Sequence, residues 1–280
     1  MSMLEEIFGD RVKKPAGPPP SQPRTKRPPP PKVRARDLVS EARNVGSFEL
    51  AGGLRAIIEE SAADAFRALA ANLTAQAQAQ GLRSVVLSSC YRGEGRTTTA
   101  IGLGLSMAQS PGTSVLLLEG DLRHPKMKEY LSLPVRAGLD DVLAGKADVA
   151  EAMVFCEDDN LAVLPVRYAR SKAANILDSP AMKELAPLLL ASFDHVICDS
   201  TPALSTRDPS VLGKQMGGVA LVVQAAATRR ESAGRAMSVF KQAGVPLLGL
   251  ILNHTRFYVP RCFRSAENSA NDDSRKPQQA

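Results

Sequence analysis

A chain of 280 residues with 44% hydrophobic content is long enough to bury one full core, and 35 Lys/Arg against 29 Asp/Glu give it a net charge of +6. That excess sits at the start: residues 1–36 carry nine Lys/Arg and three Asp/Glu, so the remainder is formally neutral. A neutral fold lacks the basic patch on which duplex binding rests, no apolar run reaches the roughly 18–20 residues of a membrane helix, and the first residues have no apolar signal-peptide core. The expectation is a cytoplasmic protein with no nucleic-acid partner.

Residues 1–47 read as a basic, proline-rich tail, because runs of three and four prolines at 18–20 and 28–31 favour extended polyproline conformations over a core. Within it, apolar residues at 3–8 have helical spacing, which fits either a short docking helix or a frayed terminus. The folded domain is expected over 48–260. Phe66, Leu69, Ala70 and Leu73 recur at helical intervals and predict a helix over 62–80. Strands are expected at 84–88, 114–118, 161–165, 195–198, 219–224 and 247–252, with helices at 97–109, 139–144, 179–191, 208–215 and 230–243. Short apolar strands alternating with helices define an α/β fold with a doubly wound, mostly parallel sheet. Residues 261–280 are polar and read as a disordered tail.

Ligands of such sheets bind beyond the carboxyl ends of the strands, and the residues with chemical character fall there. After the first strand, Gly93-Glu94-Gly95-Arg96-Thr97-Thr98 opens a helix. Its backbone N–H groups and helix dipole suit an anion, its glycines let phosphate oxygens approach, and the Thr97 hydroxyl is placed to ligate Mg²⁺. Against the pattern G-x-x-x-x-G-K-[ST], Cys90 stands at the first glycine and Arg96 at the lysine. Glu119 and Asp121 alternate at the end of the next strand, and His195-Val196-Ile197-Cys198 ends in Asp199. Asp121 and Asp199 are candidate Mg²⁺ ligands, while Arg96, Glu119 and Asp121 are the candidate catalytic set. The four cysteines lack metal-ligand spacing and read as reduced thiols, Cys198 as a small buried hydrophobe.

These motifs together resemble the bacterial tyrosine kinases and their relatives in capsule and exopolysaccharide synthesis, a branch of the P-loop ATPases, over about residues 58–258. The family's loop P-G-E-G-K-[ST]-T is similar to Arg92-Gly93-Glu94-Gly95-Arg96-Thr97-Thr98, and its D-x-D-L-R-x-P to Glu119-Gly120-Asp121-Leu122-Arg123-His124-Pro125. F-D-x-V-I-I-D-x-P-P is similar to the stretch from Phe193 to Pro202, followed by Asp208. A glycine-leucine motif at Gly138-Leu139 and the closing Gly249-Leu250-Ile251-Leu252-Asn253 also agree.

The resemblance implies an ATP site formed by Gly93, Glu94, Gly95, Arg96, Thr97 and Thr98, with Asn253 at the adenine. It assigns Mg²⁺ to Thr97 and Asp199, and to Asp121 the orientation or activation of the attacking group; a plain strand-end turn is the other reading of Asn253. The implied partner is an inner-membrane polysaccharide co-polymerase, with the basic tail either lying against it or anionic lipid, or serving as a solvated linker.

The departures are informative. Arg96 puts a broad planar fork where the family has a compact ammonium, and Glu119 adds a methylene where it has aspartate. Nucleotide binding is expected to tolerate these changes better than catalysis. The family's assembly motif E-x-x-R-x-x-R reads Asp64-Ala65-Phe66-Arg67-Ala68-Leu69-Ala70, lacking the second arginine, so homo-oligomerisation stays open. Tyr258 alone follows the last strand, and no self-phosphorylated tyrosine cluster is expected. Three readings stand: a tyrosine-kinase-like ATPase of polysaccharide polymerisation and export, a nucleotide-bound adaptor of the same machinery, and a positioning ATPase of the partitioning or division-site type.

Overall fold

The computed structural model describes residues 35–46, 50–51, 54, 58, 62–157 and 160–255, all in one compact unit. Residues 3–8, read as either a docking helix or a frayed terminus, Tyr258 and the tail at 261–280 lie outside them. In chain order the elements are α1 (Ala35–Glu41), β1 (Arg43–Asn44), α2 (Ala63–Gln80), β2 (Ser84–Ser89), α3 (Arg96–Ala108), β3 (Val115–Glu119), α4 (Met127–Tyr130), α5 (Leu139–Leu143) and α6 (Val149–Ala152). They continue with β4 (Val154–Cys156), β5 (Leu161–Leu164), α7 (Ala173–Leu177), α8 (Pro180–Ser192), β6 (His195–Asp199), α9 (Asp208–Met216), β7 (Val219–Gln224), α10 (Arg230–Gln242) and β8 (Leu247–Asn253).

The eight strands form one sheet in the order β1-β4-β5-β3-β6-β2-β7-β8. Every pair is parallel except β4 with β5 and, like β4, the short β1 runs against the rest. Strands buried on both faces need near-continuous apolar residues, and β5 supplies them throughout while β3 and β7 do so up to their last residues, Glu119 and Gln224. Alternate residues feed two cores. Val86, Leu116, Leu118, Val196 and Leu221 join α7, α8, α9 and α10 on one face. Leu87, Leu117, Val163, Ile197 and Ala220 meet α2 and α3 on the other. Gly102 allows that second layer its close approach, because a Cβ there would strike the ring of Phe66.

At the sheet edge, β8 carries a register shift between Val219 and Ala220 that leaves Leu248 as the extra residue. The shift changes the inward parity, so Leu248 and Ile251 pack on the core while Leu250 and Leu252 are exposed.

The expected strands and long helices are present with ends displaced by a residue or two. Helix α1 and strand β1 fall inside the segment expected to be tail, yet Leu38 of α1 is buried in the core beside α8 and β1 pairs with β4. Helices α1, α4, α6 and α7 span two turns or fewer, and β1 and β4 hold only two and three residues without the longer apolar run that marks the other strands, so these elements leave little signature in the sequence. Leu38→Ala is expected to lower the unfolding free energy by about 2 kcal/mol in urea titrations, as a truncated core leucine does; a solvated tail residue would leave it unchanged.

Candidate functional site

Three strand ends converge because β2 lies beside β6 and β6 beside β3. Across those pairs Leu87 and Glu119 both register with Asp199. The chain leaves β2, turns through Cys90–Gly95 and enters α3. Gly93 and Gly95 have φ of 85° and 83°, left-handed values that a side chain disfavours. Gly95 is the N-cap of α3, and a Cβ on it would collide with the Asn253 amide. The loop's N–H groups and the first turn of α3 border a cavity of about 330 Å³. Arg92, Arg96, Thr97, Thr98, Asp121 and Lys126 are among the residues lining it.

Arg96 organises the floor. Its Nε donates to Asp199 Oδ1 at 2.7 Å, Nη2 to Asp121 Oδ2 at 3.1 Å and Nη1 to Ser89 Oγ at 3.2 Å. The Thr97 hydroxyl donates to the remaining Asp199 oxygen at 2.6 Å, and Asp121 Oδ1 accepts from the N–H groups of Arg123 and His124. Burial pushes the Asp199 carboxyl up, while Arg96 and the Thr97 hydroxyl pull it back.

The expected Mg²⁺ ligands Thr97, Asp121 and Asp199 are therefore brought together, but around a guanidinium. All four carboxylate oxygens already accept a hydrogen bond, and Arg96 occupies one oxygen of each. Direct ligation of one Mg²⁺ by Thr97, Asp121 and Asp199 together would require Arg96 and the Thr97 hydroxyl to give up these contacts. Among the described residues, no group of three His, Cys, Asp or Glu side chains is arranged to hold a metal ion.

The other expected residues brace the cradle. Glu94 is buried; its carboxylate accepts from Tyr91 N at 2.9 Å and from the Thr228 hydroxyl. Asn253 donates from Nδ2 to Glu94 O at 3.0 Å, and its Oδ1 accepts from His254 N. The amide expected at the adenine thus holds β8 against the glycine loop. Tyr91 Oη lies 3.0 Å from Ser232 Oγ and accepts from Arg235 of α10. Burial raises the Cys90 thiol to about 11, which keeps it unreactive at neutral pH.

Glu119, grouped by its sequence position with the chemical residues, does not line the cavity. One of its oxygens accepts from the N–H groups of Lys126 and Met127 at the start of α4, the other from Val166 N. The longer side chain ties the end of β3 to two neighbouring segments. Arg123 makes a 2.8 Å ion pair with the fully buried Asp208 and donates to Ser171 O. Asp140, from the glycine-leucine motif, is held by Arg170 at 2.6 Å. The contributions of Arg92, His124, Lys126 and His254 to the cavity wall escape sequence reasoning, although the first two lie within a recognised motif and the other two adjoin one.

A mostly parallel sheet with a glycine loop feeding a helix N-terminus, and acidic residues on adjacent strand ends, defines the P-loop NTPase class. No family model matches the chain. Tyrosine-protein kinase YwqD of Bacillus subtilis (strain 168) is 33% identical over 188 residues, which are 67% of this chain and 79% of that protein. The kinase domain of VpsO superposes with a TM-score of 0.63 at 27% identity, covering 71% of this chain and 98% of that one. The septum site-determining protein MinD of Pyrococcus horikoshii OT3, complexed with Mg-ADP, gives 0.52 at 25% identity over 61% and 70% of the two chains. This chain belongs to the bacterial tyrosine-protein kinase family.

Burial raises the Glu119 carboxyl to about 7, against the opposing pull of three backbone N–H groups. The folded chain thus keeps a proton that the unfolded chain releases near 4.5. This contribution to stability is full below about pH 4.5 and is lost as pH rises through about 7. Glu119→Ala, which leaves three N–H groups without their acceptor, is expected to cost on the order of 3 kcal/mol in urea unfolding. The deficit should be largest near pH 4.5 and shrink toward neutrality.

Proposed function

We propose that this chain binds ATP in the cavity above Arg96 and acts as a tyrosine-kinase-type regulator of capsule or exopolysaccharide polymerisation and export. The observation that carries the nucleotide reading is the convergence of the β2–α3 glycine loop with the ends of β3 and β6 on one basic-rimmed cavity. Left-handed glycines expose backbone N–H groups to the phosphates, the dipole of α3 favours their charge, and Arg92 and Lys126 add cationic side chains at the rim.

The partner is an inner-membrane polysaccharide co-polymerase, and the protein works at the cytoplasmic side of that membrane, in contact with partner or anionic lipid through its basic first residues. No helix among the described residues is long and apolar enough to cross a membrane, and the co-polymerase reading assigns the span to the partner. A folded domain over 48–260, extended by α1 and β1, with polar segments on either side, completes this organisation.

One observation favours a second reading, a nucleotide-held adaptor with turnover near background. Asp121, the residue assigned to the attacking group, has one oxygen on Arg96 and the other on two backbone N–H groups. A general base must reach the proton it abstracts, and three of this carboxylate's roughly four acceptor sites are already taken.

ATP binding and hydrolysis by the wild type, Arg96→Lys and Asp199→Ala decide between the readings. Wild type is expected to gain thermal stability with ATP by mass action. For an adaptor, wild-type turnover stays at background and Arg96→Lys raises it about 10-fold or more. For a working kinase, wild type turns over and Asp199→Ala abolishes it. Absence of any ATP-dependent stabilisation would remove the nucleotide reading.

A further inference from the structure

Arg96 has five N–H donors, and three are committed to Asp199, Asp121 and Ser89. One N–H on Nη1 and one on Nη2 remain, on a side chain 10% exposed that lines the cavity. The guanidinium therefore faces two ways, with buried carboxylates behind it and the phosphate cradle in front. In a metal-dependent nucleotide site, the strand-end carboxylates are joined to the phosphates by a divalent cation that neutralises both. Here the protein's own cation lies against both carboxylates and lines the cavity.

We propose that Arg96 replaces the divalent cation, so that this chain captures nucleoside di- and triphosphates independently of Mg²⁺. The inference rests on the nucleotide reading above and assigns Arg96 as its specificity-determining residue. Two features support it beyond the placement of the guanidinium. The one Arg96 charge already lies against both carboxylates, and each of their four oxygens accepts at least one hydrogen bond within the fold. Clearing Arg96 away for a metal would break two ion pairs whose side chains are all 10% exposed or less, and stripping a partner from a buried pair is strongly unfavourable. Lysine at this position has three donors on one atom and no planar fork, so it cannot span both carboxylates and still present two donors to phosphate.

The test is a fluorescence titration with mant-ADP, run in excess EDTA and in excess MgCl₂, on wild type and on Arg96→Lys, with folding checked by circular dichroism. For wild type the two dissociation constants are expected to agree within about 3-fold, whereas Arg96→Lys should bind about 10-fold or more tightly with Mg²⁺ than without it. A larger Mg²⁺ effect on wild type overturns the proposal and leaves the nucleotide reading standing. So does a folded Arg96→Lys as indifferent to Mg²⁺ as wild type, which would show that the arginine is not the cause. If wild type binds mant-ADP in neither condition, the nucleotide reading fails and this proposal with it. The wild-type titration is decisive even where the variant does not fold.

Discussion

Two carboxylates, Asp121 and Asp199, are buried at the mouth of this sheet, and the surrounding architecture follows from how their charge is met. Isolated in a low-dielectric interior, each would carry a desolvation cost of several kcal/mol. Arg96 meets both, and it does so from the first residue of α3. One side chain thereby fixes the glycine loop to the ends of two strands that are not its own. Removing the guanidinium would leave a pair of like charges with no counter-ion, so the loop's position and the electrostatics of the floor are a single constraint.

Around that centre, polar groups that a motif comparison assigns to ligands or chemistry are spent on backbone. Glu94 and Asn253 clamp the glycine loop to the β7–α10 turn and to β8, Glu119 draws α4 and Val166 against β3, and Arg123 pins the segment after β3 to Asp208. Buried polar networks of this kind are favourable only when every member is satisfied, and here the paired oxygens and N–H groups close on one another. The result is a cradle whose shape is set before any ligand arrives, which reduces the ordering that binding would otherwise require.

The parallel sheet, its six longer strands and the positions of the three strand-end motifs are legible in the sequence, because continuous apolar runs and glycine-rich turns each have a direct physical cause. The tasks of individual side chains are less so. Nothing in the order Glu119-Gly120-Asp121 distinguishes an acid serving the cavity from one serving backbone N–H groups. The difference arises from α4 and Val166, segments placed by tertiary packing. Similarly, Arg96 is conspicuous as a departure from lysine, but its pairing with both aspartates depends on the adjacency of β3, β6 and β2, which come from distant parts of the chain. The edge-strand bulge at Leu248 is invisible for the same reason, since a register shift belongs to a pair of strands and not to one.

The clasp of Asn253 over Glu94 joins residues 159 positions apart. On the ribosome the glycine loop is made early, and β2 must then wait for β6 and β7, which flank it, and for β8, which closes over the loop. Non-local pairing of this kind delays the ordering of the early segments until late ones are available. The glycine-loop cradle is thus among the last features of the molecule to take shape during synthesis. A chain interrupted before β8 would lack the clasp altogether, so a closed cradle certifies that synthesis has reached the last strand.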